Sequence, residues 1–410
     1  MKKLIACLLV LCLLVPVSAL SFTDAAAIRH DDEVAIFTDL GLIGGYTDGT
    51  FRPNDNIRRS EAAKLIALIS EANPKTNAAV RFSDVPSSHW AANYIAYCSE
   101  KQIIVGANGL FRPNDFVTGR EFAKMLLVCV GNDGSKYVGA NWAQAVDRDA
   151  QANGVYDGFT ADPGRVLSRD DACLLMYNAM QCSAVSGKDA NGKPVFVLDE
   201  LMNPVTYMEY RFGVVKFKGV LVANEYADLT KAGGALDAGM SKLAGHTAAA
   251  FATDYMLLGR TLELTTIRSG EEGETHYTVI GNPSLPGGEE TCVATSASDY
   301  VIVLRYFGYT TNAATQYYLN GDATNETFLT RLGDDCVITG IDRNGDQVLD
   351  AVVTWNYTQG TVRSTEPLQI LADGSVTDAI ALTDEAIAAG DQVRCLKMGG
   401  RYYLVKGLSE

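Results

Sequence analysis

The stretch Gly45-Tyr46-Thr47-Asp48-Gly49-Thr50-Phe51-Arg52-Pro53-Asn54-Asp55 ends in a pentapeptide, Phe-Arg-Pro-Asn-Asp, that returns at Phe111–Asp115. Each copy leads into a segment that opens with arginine and an acid: Arg59 and Glu61 in the first, Arg120 and Glu121 in the second. A recurring unit of this size marks a repeat architecture, in which each copy needs its neighbours to bury a core. A third, more divergent copy becomes visible when the segments are aligned on Glu61, Glu121 and Asp171, which stand 60 and then 50 positions apart. The apolar residues that follow keep the same phase in all three. They are Ala62, Leu65, Ile66 and Ile69, then Phe122, Met125, Leu126 and Cys129, then Ala172, Leu175, Met176 and Ala179. The i, i+3, i+4, i+7 spacing predicts one buried stripe per helix, and so three equivalent places in one core.

The flanking residues predict where these helices begin. Thr118 with Glu121, and Ser168 with Asp171, form capping boxes in which a hydroxyl and an acid three residues on satisfy free amides. Arg58 stands at the corresponding position of the first copy, so that helix start is expected to be weaker, or capped by Asn56 or Asp55. Glycine-rich turns precede each capped helix: Gly44 to Gly49, Gly106 to Gly109 and Gly154 to Gly158. Before each turn an earlier helix is expected, at about His30 to Leu40, His89 to Gln102 and Asn141 to Ala152.

These motifs resemble the S-layer homology family over roughly Phe22 to Met180. The residues that carry the resemblance are Phe22-Thr23-Asp24, Phe82-Ser83-Asp84, His89-Trp90-Ala91, the Gly45–Phe51 turn and the three helix openings. The resemblance implies a three-lobed domain whose grooves hold anionic, often pyruvylated, secondary cell-wall polysaccharide. Carried over by position, the ligand arginines are Arg59 and Arg169. Gly119 holds that slot in the second copy and Arg120 follows it, so the second groove is expected to bind differently or not at all. Asp24, Asp84, Trp90, Trp142 and the turn glycines Gly45 and Gly106 complete the candidate polysaccharide-binding set. General chemistry agrees, since helix N-termini and arginine both favour carboxylate or phosphate. Each residue also has a structural alternative. The arginines can pair with neighbouring acids, the tryptophans can pack between lobes, and the aspartates can brace turns.

Composition narrows the remaining classes. The net charge of −15, from 49 acidic and 34 basic residues, speaks against nucleic acid as a partner. Met1-Lys2-Lys3, the apolar run Leu4 to Val17 and the small residues Val17-Ser18-Ala19 read as a signal peptide over residues 1–19. At about 14 residues the run is too short to span a bilayer, so no membrane association is expected after cleavage. The end of the chain, Lys406 to Glu410, lacks the apolar stretch and basic stop of a covalent sorting signal, so a non-covalent hold on the wall is expected. Beyond Cys7 and Cys12, seven cysteines are scattered without CxxC pairs, and no metal or redox cofactor is expected.

The expected organisation is a mixed α and β chain. A pseudo-threefold all-α domain of three repeats (20–75, 80–132 and 137–182) is followed by a linker or lead-in segment (183–212). A β-rich region of small barrels or sandwiches (213–410) completes it. Its β-favouring runs include Val214–Val222, Thr261–Ile267, Tyr300–Tyr306, Val337–Ile341, Val352–Trp355 and Tyr402–Val405, while Ala235–Ala252 reads as helical. Asp342, Asn344, Asp346 and Asp350 are spaced like calcium-loop ligands, but the glycine at position 6 and the glutamate at position 12 are missing. A hairpin turned at Asn344-Gly345 is the favoured reading there. No nucleophile elbow, zinc-protease motif or P-loop is present, so the protein is expected not to be an enzyme. Two alternatives remain: a carbohydrate-active enzyme with its site in the β region, and a self-associating lattice subunit. The expected partner is wall polysaccharide or a peptidoglycan-linked polymer.

Overall fold

The computed structural model describes residues 22–71, 81–269, 276–332, 335–383 and 385–407; the expected signal peptide and the last three residues lie outside them. Among the described residues the chain divides into two compact units, one of 22–216 with 265–282 and one of 217–264 with 283–407.

Six helices build the first unit's repeats: α1 (Asp31–Asp39), α2 (Arg59–Ser70), α3 (Ala92–Glu100), α4 (Gly119–Cys129), α5 (Trp142–Ala152) and α6 (Arg169–Met180). The stripes read from the sequence are the buried faces of α2, α4 and α6, and only Cys129 among those residues keeps partial exposure. Three backbone hydrogen bonds between the repeats close a ring. The amide of Ile57 donates to Leu167 O (3.0 Å), that of Leu167 to Val117 O (2.9 Å), and that of Val117 to Ile57 O (3.1 Å). Each of these side chains is fully buried. No repeat can complete this ring alone, because each one's donor needs another repeat's carbonyl.

The same rotation orders the capped helices. The first two amides of α2 donate to Asp115 O and Pro113 O, those of α4 to Arg165 O and Pro163 O, and those of α6 to Asp55 O and Pro53 O. The repeated Pro-containing segment therefore caps the helix of the preceding repeat. At the third amide, Thr118 Oγ1 accepts from Glu121 N (3.2 Å) and Ser168 Oγ from Asp171 N (3.1 Å), as the capping boxes require. In α2 neither Asn56 nor Asp55 supplies a side-chain cap. Instead the Glu61 carboxylate accepts the Arg58 amide (2.7 Å), half of a box, and the helix start leans on the Asp115 and Pro113 carbonyls. One sequence-based expectation is corrected here. The first two amides of each of these helices are not free for an anion, because neighbouring carbonyls already take them, and in α4 and α6 the cap hydroxyl takes the third.

Residues 183–212, read as linker, form a two-stranded ribbon (Val185–Lys188 with Pro194–Phe196) and a short helix, α7 (Tyr207–Phe212). Tyr207 and Met208 are buried in the repeat core, and Tyr207 Oη donates to Ile69 O (3.4 Å).

The second unit contains a closed five-stranded barrel, in the order Thr358–Thr365, Leu368–Ala372, Ser375–Ala381, Arg401–Gly407, Gln392–Met398. Val362, Ile370, Val393, Cys395 and Leu404 fill it. A five-stranded sheet carries the fully buried Trp355 on its strand Ala351–Asn356. Another takes its strands from residues 214–284, the stretch in which the chain passes from one unit to the other and back.

Two local expectations fail. Tyr300–Tyr306 lies in a helix, α8 (Ala297–Phe307), because Ser296 caps its start by accepting from Asp299 N and Gly308 closes it in the left-handed region. The terminal signals outweigh the β-branched and aromatic run. Ala235–Ala252 is not helical. Gly239 (φ +73°) and Gly245 (φ +78°) turn the chain into short strands at Met240–Leu243 and Ala249–Ala250.

Candidate functional site

Each repeat places an arginine seat at the first position of its capped helix and aims it at the turn of the next repeat. The three seats are Arg59, Gly119 and Arg169. Twelve positions before the left-handed residues Gly41, Gln102 and Gly154 stand Arg29, Trp90 and Trp142, of which Trp142 lines the groove of Arg59. The three grooves are equivalent by position and differ in side chains.

In the first groove Arg59, 6 % exposed, donates through Nε to Phe111 O (2.9 Å) and faces Glu121 Oε1 at 3.5 Å. Its guanidinium carbon lies 5.0 Å from the Phe111 ring centroid. Arg112, Lys124 and Trp142 join it around an open groove of about 410 Å³, with Gly106, Ala107, Tyr137 and Val138 in the lining. The Lys124 ammonium stands 5.7 Å from the Trp142 ring centroid. Among the described residues Lys124 makes no ion pair. Burial pushes its pKa down, Glu121 opposes this, and Arg59 adds to the lowering. Burial likewise lowers Arg59, with Glu121 opposing and Arg112 reinforcing. Three cations crowd one half-buried carboxylate here, an arrangement that an entering anion relieves.

The second groove holds Arg169, which donates to Phe51 O (3.0 Å) and Gly44 O (2.9 Å). Tyr46 stands between two guanidiniums, with Arg52 at 4.0 Å and Arg169 at 5.0 Å from its ring centroid. Arg52 also pairs with Asp48 at 2.8 Å.

In the third groove Gly119 leaves no arginine, and the Phe159 ring lies 3.1 Å from where a Cβ would stand. Arg120 turns away to Asp147, with Nε at 2.9 Å and Nη2 at 2.8 Å, and Tyr156 Oη also donates to Asp147 (3.1 Å). Arg29 replaces the tryptophan and pairs with Asp170 (3.1 Å) and Asp171 (2.7 Å).

The structure thus brings Arg59, Gly106 and Trp142 into one groove and sets Arg169 beside the Gly45 turn. Trp90 is 57 % exposed and stacks on His89 at 5.8 Å. The aspartates serve the turns. Asp24 accepts from the amides of Phe51 and Arg52 (both 2.8 Å), and Asp84 from those of Phe111 (2.8 Å) and Arg112 (2.6 Å). Their backbone clamps hold Arg52 (φ +58°) and Arg112 (φ +61°) in the left-handed region. Gly45 and Gly106 are required by packing, since a Cβ would lie 2.5 Å from the Phe22 ring at Gly45 and 2.4 Å from the Phe82 ring at Gly106.

Sequence reasoning missed Lys124 and Arg112 as groove cations. A signal existed: lysine stands three residues after the aligned acid at Lys64 and Lys124 but is Leu174 in the third copy, and Arg52 and Arg112 belong to the repeated pentapeptide.

In the second unit Asp342 is fully buried and accepts from the amides of Asn344, Gly345 and Gln347, while Asp346 accepts from Val348 N and Asp350 from Arg343 N. The segment is the hairpin between strands Cys336–Asp342 and Ala351–Asn356, with Gly345 at φ +74°. Among the described residues no cluster of three or more His, Cys, Asp or Glu is placed to hold a metal ion, and no helix is long and apolar enough to cross a membrane.

The family model of the S-layer homology domain matches residues 21–63 and 81–123, so the N-terminal segment carries S-layer homology repeats. The third repeat lies outside the matched residues but closes the same backbone ring. The chain is 29% identical over 188 residues to a cellulosome-anchoring protein of Acetivibrio thermocellus, covering 42% of this chain and 40% of that protein. It is also 29% identical over 165 residues to a surface-layer 125 kDa protein of Lysinibacillus sphaericus, covering 37% of this chain and 14% of that one. An amylopullulanase of Thermoanaerobacterium thermosulfurigenes is 24% identical over 197 residues, covering 40% of this chain and 10% of that enzyme. The chain spans well under half the length of these relatives.

Proposed function

We propose that the S-layer homology repeats hold this protein on the cell wall without a covalent bond, by seating an anionic unit of a wall polysaccharide in the Arg59–Trp142 groove. Cell-wall anchoring of a surface protein is the coarser statement, and the matched family with its surface-protein relatives supports it. The observation that carries the finer one is the open groove in which Arg59, Arg112 and Lys124 outnumber Glu121 beside the Trp142 ring. Arginine supplies directed donors for carboxylate or phosphate, and the indole face suits the apolar side of a sugar. The second unit is read as a displayed, non-catalytic module, in keeping with a sequence that lacks the common catalytic motifs.

The test is sedimentation of the purified full-length secreted chain with wall sacculi, before and after acid removal of the secondary polysaccharide. Co-sedimentation with intact sacculi, lost on stripping and weakened by salt, is expected. Equal binding to both preparations rejects the polysaccharide as ligand.

A further inference from the structure

We propose that the mouth of the small barrel in the second unit is a further binding site, one that takes a carboxylated sugar. The barrel closes through a short parallel pairing, Ala379–Ala381 with Tyr402–Leu404. On its other side the strand Ser375–Ala381 is paired from its first residue, Ser375 with Ala372 and Asp378 with Gln369. The strand Arg401–Gly407 starts too late to cover Ser375–Asp378, so the barrel wall is open at that end, and a cleft of about 490 Å³ lies there. Its chemistry follows from register. Tyr402 belongs to the barrel core and pairs with Ala379 on one side and with Lys397 on the other. Partners across a ladder share a face, so all three line the mouth, as does Thr377 two residues before Ala379. The Lys397 ammonium stands 5.1 Å from the Tyr402 ring centroid, and Tyr402 Oη is held by donating to Asp373 (2.5 Å). Ala379 is the small member of this row, and it leaves room beside the ring.

Two cations border the cleft, Lys397 and Arg401, and neither makes an ion pair among the described residues. Its carboxylate, Asp378, accepts from Gln369 Nε2 (2.9 Å) through one oxygen. Cations by themselves suit any anion. The second oxygen of Asp378 and the Thr377 hydroxyl add acceptors for sugar hydroxyls, and exposed Ile380 adds an apolar contact. Barrel mouths are a recurrent place for small-ligand sites. The inference rests on the wall-anchoring reading for the source of its ligand, an acidic glycan, and on the barrel for everything else.

The test uses the full secreted chain and acetylation of its lysines by an N-hydroxysuccinimide ester, read residue by residue by mass spectrometry. Trigalacturonate is the probe, with maltotriose and inorganic phosphate as controls. With the probe at about 10 mM, ten times a millimolar dissociation constant, labelling of Lys397 is expected to slow about tenfold. Labelling of Lys231, exposed in the same unit, should not change. Arg401→Gln should weaken the protection about tenfold, the scale of one charge-assisted hydrogen bond, and Ala379→Leu, which fills the mouth, should abolish it. Both variants are first checked for an unchanged melting temperature, and if Ala379→Leu melts early, Arg401→Gln carries the comparison. Unchanged protection in Arg401→Gln, or equal protection by maltotriose or phosphate, overturns the inference. An unprotected Lys397 overturns it as well, and if Lys124 is then protected the anchoring groove stands. Protection of Lys397 without Lys124 overturns the groove and leaves the barrel site standing.

Discussion

Gly106→Ala tests whether the turn glycines serve packing or a ligand. A Cβ there would stand 2.4 Å from Leu110 O and 2.4 Å from Cε1 of Phe82, both far inside van der Waals contact. The ring belongs to a side chain already packed 5.5 Å from Phe111, and the carbonyl is backbone hydrogen-bonded to Ala107 N, so neither yields without moving the turn. Overpacking of this kind costs about 1–3 kcal/mol, and a backbone obstacle points to the upper end. Reduced freedom of the unfolded chain returns about 0.4–1 kcal/mol, because Gly106 is not in the left-handed region. A net loss of about 2 kcal/mol follows, or about 4–8 °C in melting temperature for a unit of this size. Thermal unfolding followed by far-ultraviolet circular dichroism, dominated by the helical repeats, measures it. The loss should shrink in a Phe82→Ala background, where one of the two obstacles is gone. A Gly106→Ala chain that melts within about 1 °C of the parent, yet loses sacculus binding, would refute the packing argument and return the glycine to the ligand.

Two further outcomes are expected. Burial raises the Asp84 pKa, but the amides of Phe111 and Arg112 outweigh it and hold the group below its ordinary value. A depressed carboxylate stabilises the fold above about pH 4 and loses that contribution as pH falls through its folded pKa. Asp84→Asn should therefore lower the melting temperature at neutral pH and flatten its fall on acidification, whereas a parallel shift at all pH values would contradict this reading. In the second unit Asp342→Ala removes the acceptor of three amides at a fully buried site and should cost about 3 kcal/mol or more. The fluorescence transition of the tryptophans, including buried Trp355 on the adjoining strand, should move to lower denaturant, and an unchanged midpoint would show that the hairpin does not depend on this carboxylate.

Much of the repeat unit is legible in the sequence because its determinants are local. The helix stripes, the two hydroxyl caps and the glycine turns depend on residues within a few positions of one another, and each forms as read. The β region is less legible. Tyr300–Tyr306 has strand composition and helix ends, and the ends decide, while in Ala235–Ala252 two glycines override an alanine-rich run.

The amino-acid order by itself determined that three copies exist, where each helix begins and which copy lacks its arginine, since periodicity and capping are short-range. Only the tertiary structure decided which groove is open. Whether Tyr46, Phe159 or Ala107 stands beside a given seat depends on residues about 40 to 120 positions apart that the backbone ring of Ile57, Val117 and Leu167 brings together. The charge of Lys124 and the room beside it arise from that closure, because a cation's partners are set by what packs around it in space.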